Sequence, residues 1–454
     1  MEAVVYLGRR LSIKRKARSH FLNMLLSPGS RRMQRSASEL RRRLTGAAHT
    51  VSVFLQLDDP YSYLLACYLP ALQARFDIEL RVYLSQGRGE AYQPAPDMLA
   101  EYAATDAQRL ARELGIPFLD RGAAPPVEHR RGLLDELASH VGSPDFLDEF
   151  RDVLELYWRG DNEAAARRSD TGDAGSADRE IEASQALQSR LGHYNSAMLH
   201  YGGEWFWGVD RLHYLVERLT AVGAEKDSGG NNKLAALRQA MRVSLPVRPP
   251  SAAKALPPLE LFVSFRSPYS YLALERSFAI ADAFGLQLKM RPVLPMVMRG
   301  MQVPRKKLLY IAKDTAREAE RLGVPFGKFA DPVGTGVERC LAVFLYAESE
   351  RKGREFLRNA GTAIWSEAVD VATDKGMRKV TGRTGLFWPD VLAAMESDDW
   401  RGPIEANREA MMQSGSWGVP TLRLGDEVFW GQDRHWLLVR HIEELCDTGD
   451  GILV

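Results

Sequence analysis

The sequence predicts an α/β protein made of two tandem copies of one domain, and three observations lead there. The uncommon pentapeptide Pro-Tyr-Ser-Tyr-Leu occurs twice, at 60–64 and at 268–272. Sliding the chain along itself by the same 208 positions lays Asp106, Arg109, Ala111, Leu114, Gly115, Pro117 and Phe118 on Asp314, Arg317, Ala319, Leu322, Gly323, Pro325 and Phe326 without a gap. Further on the offset becomes 223, and EWFWGVDR (204–211) falls on EVFWGQDR (427–434), so the second copy holds fifteen additional residues in between. Agreement at fixed offsets over such a length marks a duplicated unit.

Each copy then reads the same way. An apolar run, VSVFLQL or LELFVSF, has strand character and ends at Asp59-Pro60 or Ser267-Pro268. YLLACYLPALQARF and YLALERSFAIADAF follow with helical spacing, and proline suits a first helical turn because its missing N–H would be unpaired there. A second strand, IELRVYL or LQLKMRPVL, comes next. A long helical region covers about 97–190 and 304–413. A short strand pair (MLHYGGEWFWG, TLRLGDEVFWG) and a last helix from Asp210 or Asp433 complete each copy. The order β-α-β, helical insertion, β-β-α is that of a thioredoxin-like fold with an inserted helical subdomain. The expected division is a basic arm at 1–48, a first domain at 49–221, a linker rich in Gly, Asn, Pro and Ser at 222–258 with a short helix at KLAALRQAMR, and a second domain at 259–446. The small, polar stretch 159–180 reads as a mobile loop.

At 454 residues, with 45% hydrophobic and 26% charged residues, the chain has ordinary globular composition. It contains no run of eighteen apolar residues, so no spanning helix is expected, and its start lacks the pattern of a secretory signal. Cys67, Cys340 and Cys446 are widely separated, which excludes a disulfide framework or a C-x-x-C centre. A reducing, cytoplasmic setting is the expectation. The nine histidines show no ligand spacing, and no metal is expected. Sixty Lys and Arg nearly balance fifty-nine acids, but residues 1–50 hold twelve basic residues against two acids. That arm suits an anionic membrane surface or nucleic acid; the plainer reading is an arm docked on, or disordered beside, an acidic body.

In this fold the junction of first strand and first helix is where chemistry happens, because unpaired N–H groups and a partial positive charge meet there. Dithiol enzymes place C-x-x-C at the junction, whereas this chain has Ser267-Pro268-Tyr269-Ser270. Hydroxyls cannot exchange a disulfide, but they can hold another molecule's thiolate. FRSPYSYLA, RPVL at 291–294, the pattern from Lys307 to Asp314, LGVPF, IWSE and above all WGVPTLRLGDEVFWGQDR (417–434) appear in order. On these motifs the second half, 259–445, resembles the 2-hydroxychromene-2-carboxylate isomerases and kappa-class glutathione transferases of the DsbA-like thioredoxin superfamily.

The resemblance implies a glutathione site. Ser267 matches the serine that donates to the glutathione sulfur, and Pro420 the cis-proline, with Val419 presenting backbone to the cysteinyl unit. Gln432 and Asp433 match the pair at the γ-glutamyl end, and Lys307 is a partner for a carboxylate. Each has a plainer reading: Ser267 as a helix cap, Pro420 as a mark of the fold, Asp433 with Arg434 as cap and pair, and Lys307 as a solvated helix residue. The first copy has Asp59, Leu99, Ala197 and Val209 at the positions of Ser267, Lys307, Pro420 and Gln432, so its site is expected to be lost. The family's dimers suggest a pseudo-dimer within one chain, open to further homo-oligomerisation. The implied activity is a glutathione-dependent isomerase or transferase acting on an electrophilic, aromatic small molecule. A catalytically silent scaffold is the alternative from another class, and a thiol-disulfide oxidoreductase is disfavoured by the missing cysteines.

Overall fold

A computed structural model describes residues 23, 24, 26–87, 92–118, 127–169, 175–227 and 232–449. The chain forms two compact units, one of Met33–Arg242 with Pro304–Lys307, the other of Val243–Val303 and Leu308–Val454 with the described residues up to Arg32.

The first unit holds a four-stranded mixed sheet of β1 (Thr50–Leu55), β2 (Glu79–Leu84), β3 (Met198–Tyr201) and β4 (Glu204–Trp207) in the order β2-β1-β3-β4. β1 runs parallel to β2 and antiparallel to β3, and β3 and β4 form a hairpin. In the second unit β5 (Leu259–Val263), β6 (Leu288–Pro292), β7 (Thr421–Leu424) and β8 (Glu427–Trp430) repeat this as β6-β5-β7-β8, with the same directions. All five residues of β5 are buried, as expected of a central strand covered on both faces. Its one charged residue, Glu260, is held by Arg291 of β6 at 2.6 Å and by Arg423 of β7, so a single carboxylate ties three strands.

The shared pentapeptide has a hydrogen-bonding reason. Ser62 Oγ accepts from the Gln56 N–H at 3.0 Å, and Ser270 Oγ from the Ser264 N–H at 3.2 Å, fastening helix to strand end. Tyr63 O–H donates to the Pro117 carbonyl at 2.6 Å, and Tyr271 O–H to that of Pro325 at 2.9 Å. Tyr61 and Tyr269 donate to Asp106 and Asp314, both at 2.8 Å. Three side chains thus tie the first helix both to the sheet and to the helical insertion.

The units differ where their sequences do. The first helix of the second unit runs unbroken over Pro268–Phe284, but its counterpart stops at Ala66 and resumes at Leu69–Arg75. Pro70, where the second copy has Phe278, removes the N–H a continuous helix would need. The expected loop at 159–180 contains a helix over Asn162–Ser169, and another begins at Ser176. Three alanines favour the helix, Asp161 accepts the Ala164 N–H at 3.0 Å, and Arg168 is anchored to Glu136 and Glu149. Residues 170–174 of that stretch lie outside the described residues.

Within the basic arm, Pro28–Thr45 is a helix; most of the residues before it lie outside the described ones. Arg35 pairs with Glu204 of β4 at 2.7 Å, and Glu39 holds Arg42 and Arg43, which pulls its own pKa down to about 2. The expected linker helix forms at Lys233–Ala240. No helix among the described residues is long and apolar enough to cross a membrane.

If the tyrosine hydroxyls secure the helix, Tyr271→Phe leaves the Pro325 carbonyl short of a partner. A loss of about 1–2 kcal/mol in unfolding free energy is expected, read from urea denaturation.

Candidate functional site

Ser267 sits where the Pro268–Phe284 helix begins. Its backbone is extended (φ −95°, ψ 114°), the geometry of a cap, and its Oγ accepts the Ser270 N–H at 3.1 Å. A hydroxyl also donates, and this one donates to the Val419 carbonyl at 3.3 Å. Val419 precedes Pro420, and the bond between them is the one cis peptide among the described residues. Strand–helix junction and cis-proline turn, 152 residues apart in the chain, therefore meet at one half-buried side chain.

Buried polar contacts hold the turn. Ser416 Oγ and Thr421 Oγ1 lie 2.8 Å apart, and Thr421 Oγ1 donates to the Gly418 carbonyl at 2.8 Å. A Cβ on Gly418 would clash with the Trp430 ring, which explains the glycine. Trp417 meets Trp430 edge-on at 4.8 Å, and its carbonyl accepts from Arg299 Nη2 at 2.8 Å. Arg299 Nε and Nη1 are buried with no partner, and burial pushes its pKa down to about 10.

Gln432 and Asp433 lie in the short turn of Gln432–Arg434 ahead of the last helix, His435–Gly449. Gln432 is buried; its Nε2 donates to Glu318 at 2.9 Å and also to Asp433. His435 is buried too, and desolvation, with Arg276 adding to it, holds its pKa at about 3, so the ring is neutral at ordinary pH. Lys307 is grouped with the unit of Met33–Arg242. It is half-buried, not solvated; its ammonium donates to the Tyr92 carbonyl at 2.7 Å, and burial lowers its pKa to about 8.

The structure thus brings Ser267, Val419 and Pro420 together, gathers Gln432 and Asp433 around Glu318, and counts Lys307 with the other unit. Sequence reasoning missed Glu318, Arg299, Ser277 and His435. Glu318, Ser277 and His435 had a visible signal, a polar residue aligned with a leucine in the other copy.

In the first unit Asp59 takes the cap. Its Oδ1 accepts the Tyr61 N–H at 3.1 Å and its Oδ2 the Ser62 hydroxyl at 2.9 Å. Burial raises its pKa from 3.8 to about 6, against the lowering effect of hydrogen bonds from Ser196, Ser62 and Tyr61. Ala197 stands at the proline position with φ 52°. Among the described residues Glu136, His140 and Glu149 form a cluster with metal-ligand chemistry, but Arg168 already bridges the two glutamates at 2.7 and 2.6 Å.

Residues 258–443 match the model of the DSBA-like thioredoxin domain. Over this C-terminal half the chain is 24% identical to the 2-hydroxychromene-2-carboxylate isomerase of Pseudomonas putida across 196 residues, 41% of this chain and 95% of that protein. The enzyme of the same name from Sphingobium xenophagum is 26% identical over 184 residues, 39% of this chain and 93% of its own. A solved structure of 2-hydroxychromene-2-carboxylate isomerase matches with a TM-score of 0.38 and 24% identity, over 43% of this chain and 99% of its own. The family model covers only the second of the two similar sheets.

The raised pKa of Asp59 has a definite sign. A carboxyl whose folded pKa exceeds its unfolded value stabilises the fold below the unfolded pKa, and that contribution is lost as pH rises through the folded one. Asp59→Asn keeps the cap without the charge, so it should gain on the order of 2 kcal/mol over the wild type at pH 8 and nothing at pH 3.5. Denaturation midpoints at the two pH values measure the difference.

Proposed function

We propose that the C-terminal domain binds glutathione and that the protein is a glutathione-dependent isomerase or transferase acting on an electrophilic, aromatic small molecule. The observation that supports this reading most is the position of Ser267: a hydroxyl at a helix start, 3.3 Å from the carbonyl that precedes a cis-proline. The residues suit the tripeptide. Gln432 offers a buried amide oxygen with no partner, Asp433 a carboxylate beside it, and Val419 a backbone carbonyl whose present partner is a single hydroxyl proton.

Glutathione supplies a nucleophilic sulfur. Ser267 gives up its bond to Val419 and donates its proton toward that sulfur, favouring the ionised form. A hydrogen bond to a charged acceptor contributes about 1.5–3 kcal/mol, and a helix N-terminus a further ~0.3–1 kcal/mol. Together these amount to a drop of about one to three units in thiol pKa. The pinned turn of Ser416–Thr421 holds the Val419 backbone in place, so little reorganisation is needed there as charge develops. Trp430, half-buried and backed by the buried Trp417, supplies aromatic surface near the turn for a flat substrate.

A silent binding protein is the second reading, and one observation favours it: the Ser267 hydroxyl is already used twice, as acceptor from Ser270 and donor to Val419. Two substitutions separate the readings. Ser267→Asp preserves the cap, as Asp59 does in the first unit, but places a carboxylate beside the sulfur; Ser267→Ala removes the donor. Glutathione titration by calorimetry, with thiolate absorbance followed against pH, should show wild-type binding with a depressed thiol pKa. In Ser267→Asp that pKa should rise by about two units or more with the fold retained. Absence of glutathione binding to the wild type at millimolar ligand would sink the enzymatic reading.

A further inference from the structure

The C-terminal unit contains a chain of buried polar groups that its own sequence repeat does without. Ser277, Glu318 and His435 have no exposed surface, and Gln432 is 1% exposed. Ser277 Oγ lies 2.9 Å from His435 Nε2, and His435 Nδ1 lies 2.8 Å from the Gln432 carbonyl. A carbonyl can only accept, so the neutral ring carries its proton on Nδ1 and takes the Ser277 hydroxyl proton at Nε2. Beyond the backbone of Gln432, its side-chain amide nitrogen holds two carboxylates at once, Glu318 at 2.9 Å and Asp433. Arg321 adds a bond to Glu318 at 2.8 Å.

At the matching positions of the first repeat, Ser277, Glu318, Gln432 and His435 become Leu69, Leu110, Val209 and Leu212. Those four are at most 3% exposed and form ordinary core. Strand order and directions are the same in both units, so the architecture does not require the polar set. Burying a carboxylate costs several kcal/mol before its partners offset it, and apolar replacement of such a network is often neutral or stabilising. Only Asp433, the half-buried end of the chain, is retained in the first copy, as Asp210. A network that the fold can omit, ending at a partly open carboxylate, has the form of a support for recognition.

The kind of ligand follows from what the network leaves unsatisfied. Gln432 Oε1 is buried without a hydrogen-bond partner, and it is an acceptor. Beside it stands the carboxyl of Asp433, also an acceptor, close enough to Arg276 for the two to interact. A group that can donate to the open amide oxygen and to the carboxylate at once is a cation with several N–H bonds, an ammonium.

We infer that Glu318 is a positioning residue: acting through Gln432, it sets Asp433 and the open amide oxygen of Gln432 to receive a ligand's ammonium. This rests on the glutathione reading, in which that group is the α-ammonium of the γ-glutamyl end.

The test uses the full chain and two ligands, glutathione and the analogue lacking its α-amino group, glutaryl-cysteinylglycine. Wild type should favour glutathione at least tenfold by calorimetry. The double variant Glu318→Leu with Gln432→Val, which installs the residues of the first repeat, should bind both ligands alike and glutathione at least tenfold more weakly, with a melting temperature no lower than wild type. Glu318→Gln, which keeps an oxygen facing Gln432, should retain part of the preference. If wild type binds and the double variant keeps the preference, Glu318 has no such role. A melting temperature that falls while both affinities drop together would make the network part of the fold and overturn the inference. Failure of wild type to bind either ligand would overturn it together with the functional reading.

Discussion

The N–H groups that open the first helix of each unit need an acceptor, and the side chain that meets this need decides what else the junction can do. In the C-terminal unit the acceptor is a hydroxyl, which keeps a proton to give, and the proton reaches the Val419 carbonyl. In the first unit it is the Asp59 carboxyl, which caps as well but takes the Ser62 hydroxyl as a second donor. One structural requirement is thus met by two chemistries. A carboxyl that burial raises to about 6 would repel a thiolate above that pH, whereas a serine hydroxyl attracts one.

The two units serve as controls for each other. What they share is what the fold needs: the paired hydrogen bonds of Ser62 and Ser270, of Tyr63 and Tyr271, and of Tyr61 and Tyr269, around sheets of one strand order. Other features, among the described residues, belong to the second alone. The cis peptide, the glycine that clears Trp430, the hydroxyl pair that pins the turn and the buried line from Ser277 to Asp433 all belong to it. Both units bury polar groups elsewhere, but the line from Ser277 to Gln432 falls where the first has Leu69, Val209 and Leu212, and buried polar groups are costly when unmatched and only modestly favourable when matched.

Much of this organisation is written locally. Period and punctuation in the chain specify the strands, the helix starts at Pro60 and Pro268, the hairpins and the linker helix, because backbone conformation responds to residues a few positions away. The fixed offsets of 208 and 223 disclose the internal repeat and, with it, that Asp59 and Ala197 stand in the first copy where the second has Ser267 and Pro420. Local reading fails where a composition has two outcomes: the alanines of 164–166 lie in a polar stretch and form a helix because Asp161 and Arg168 find partners.

The sequence by itself therefore determined the repeat, the order of elements and the identity of the cap residues, all properties of neighbours along the chain. Only the tertiary structure decided that Ser267 donates to a carbonyl 152 residues away, that Gln432 holds a glutamate 114 residues before it, and that Lys307 is drawn to the Tyr92 carbonyl. Those pairings depend on which faces the packed helices bring together, and a partner's distance along the chain carries no trace of its distance in space.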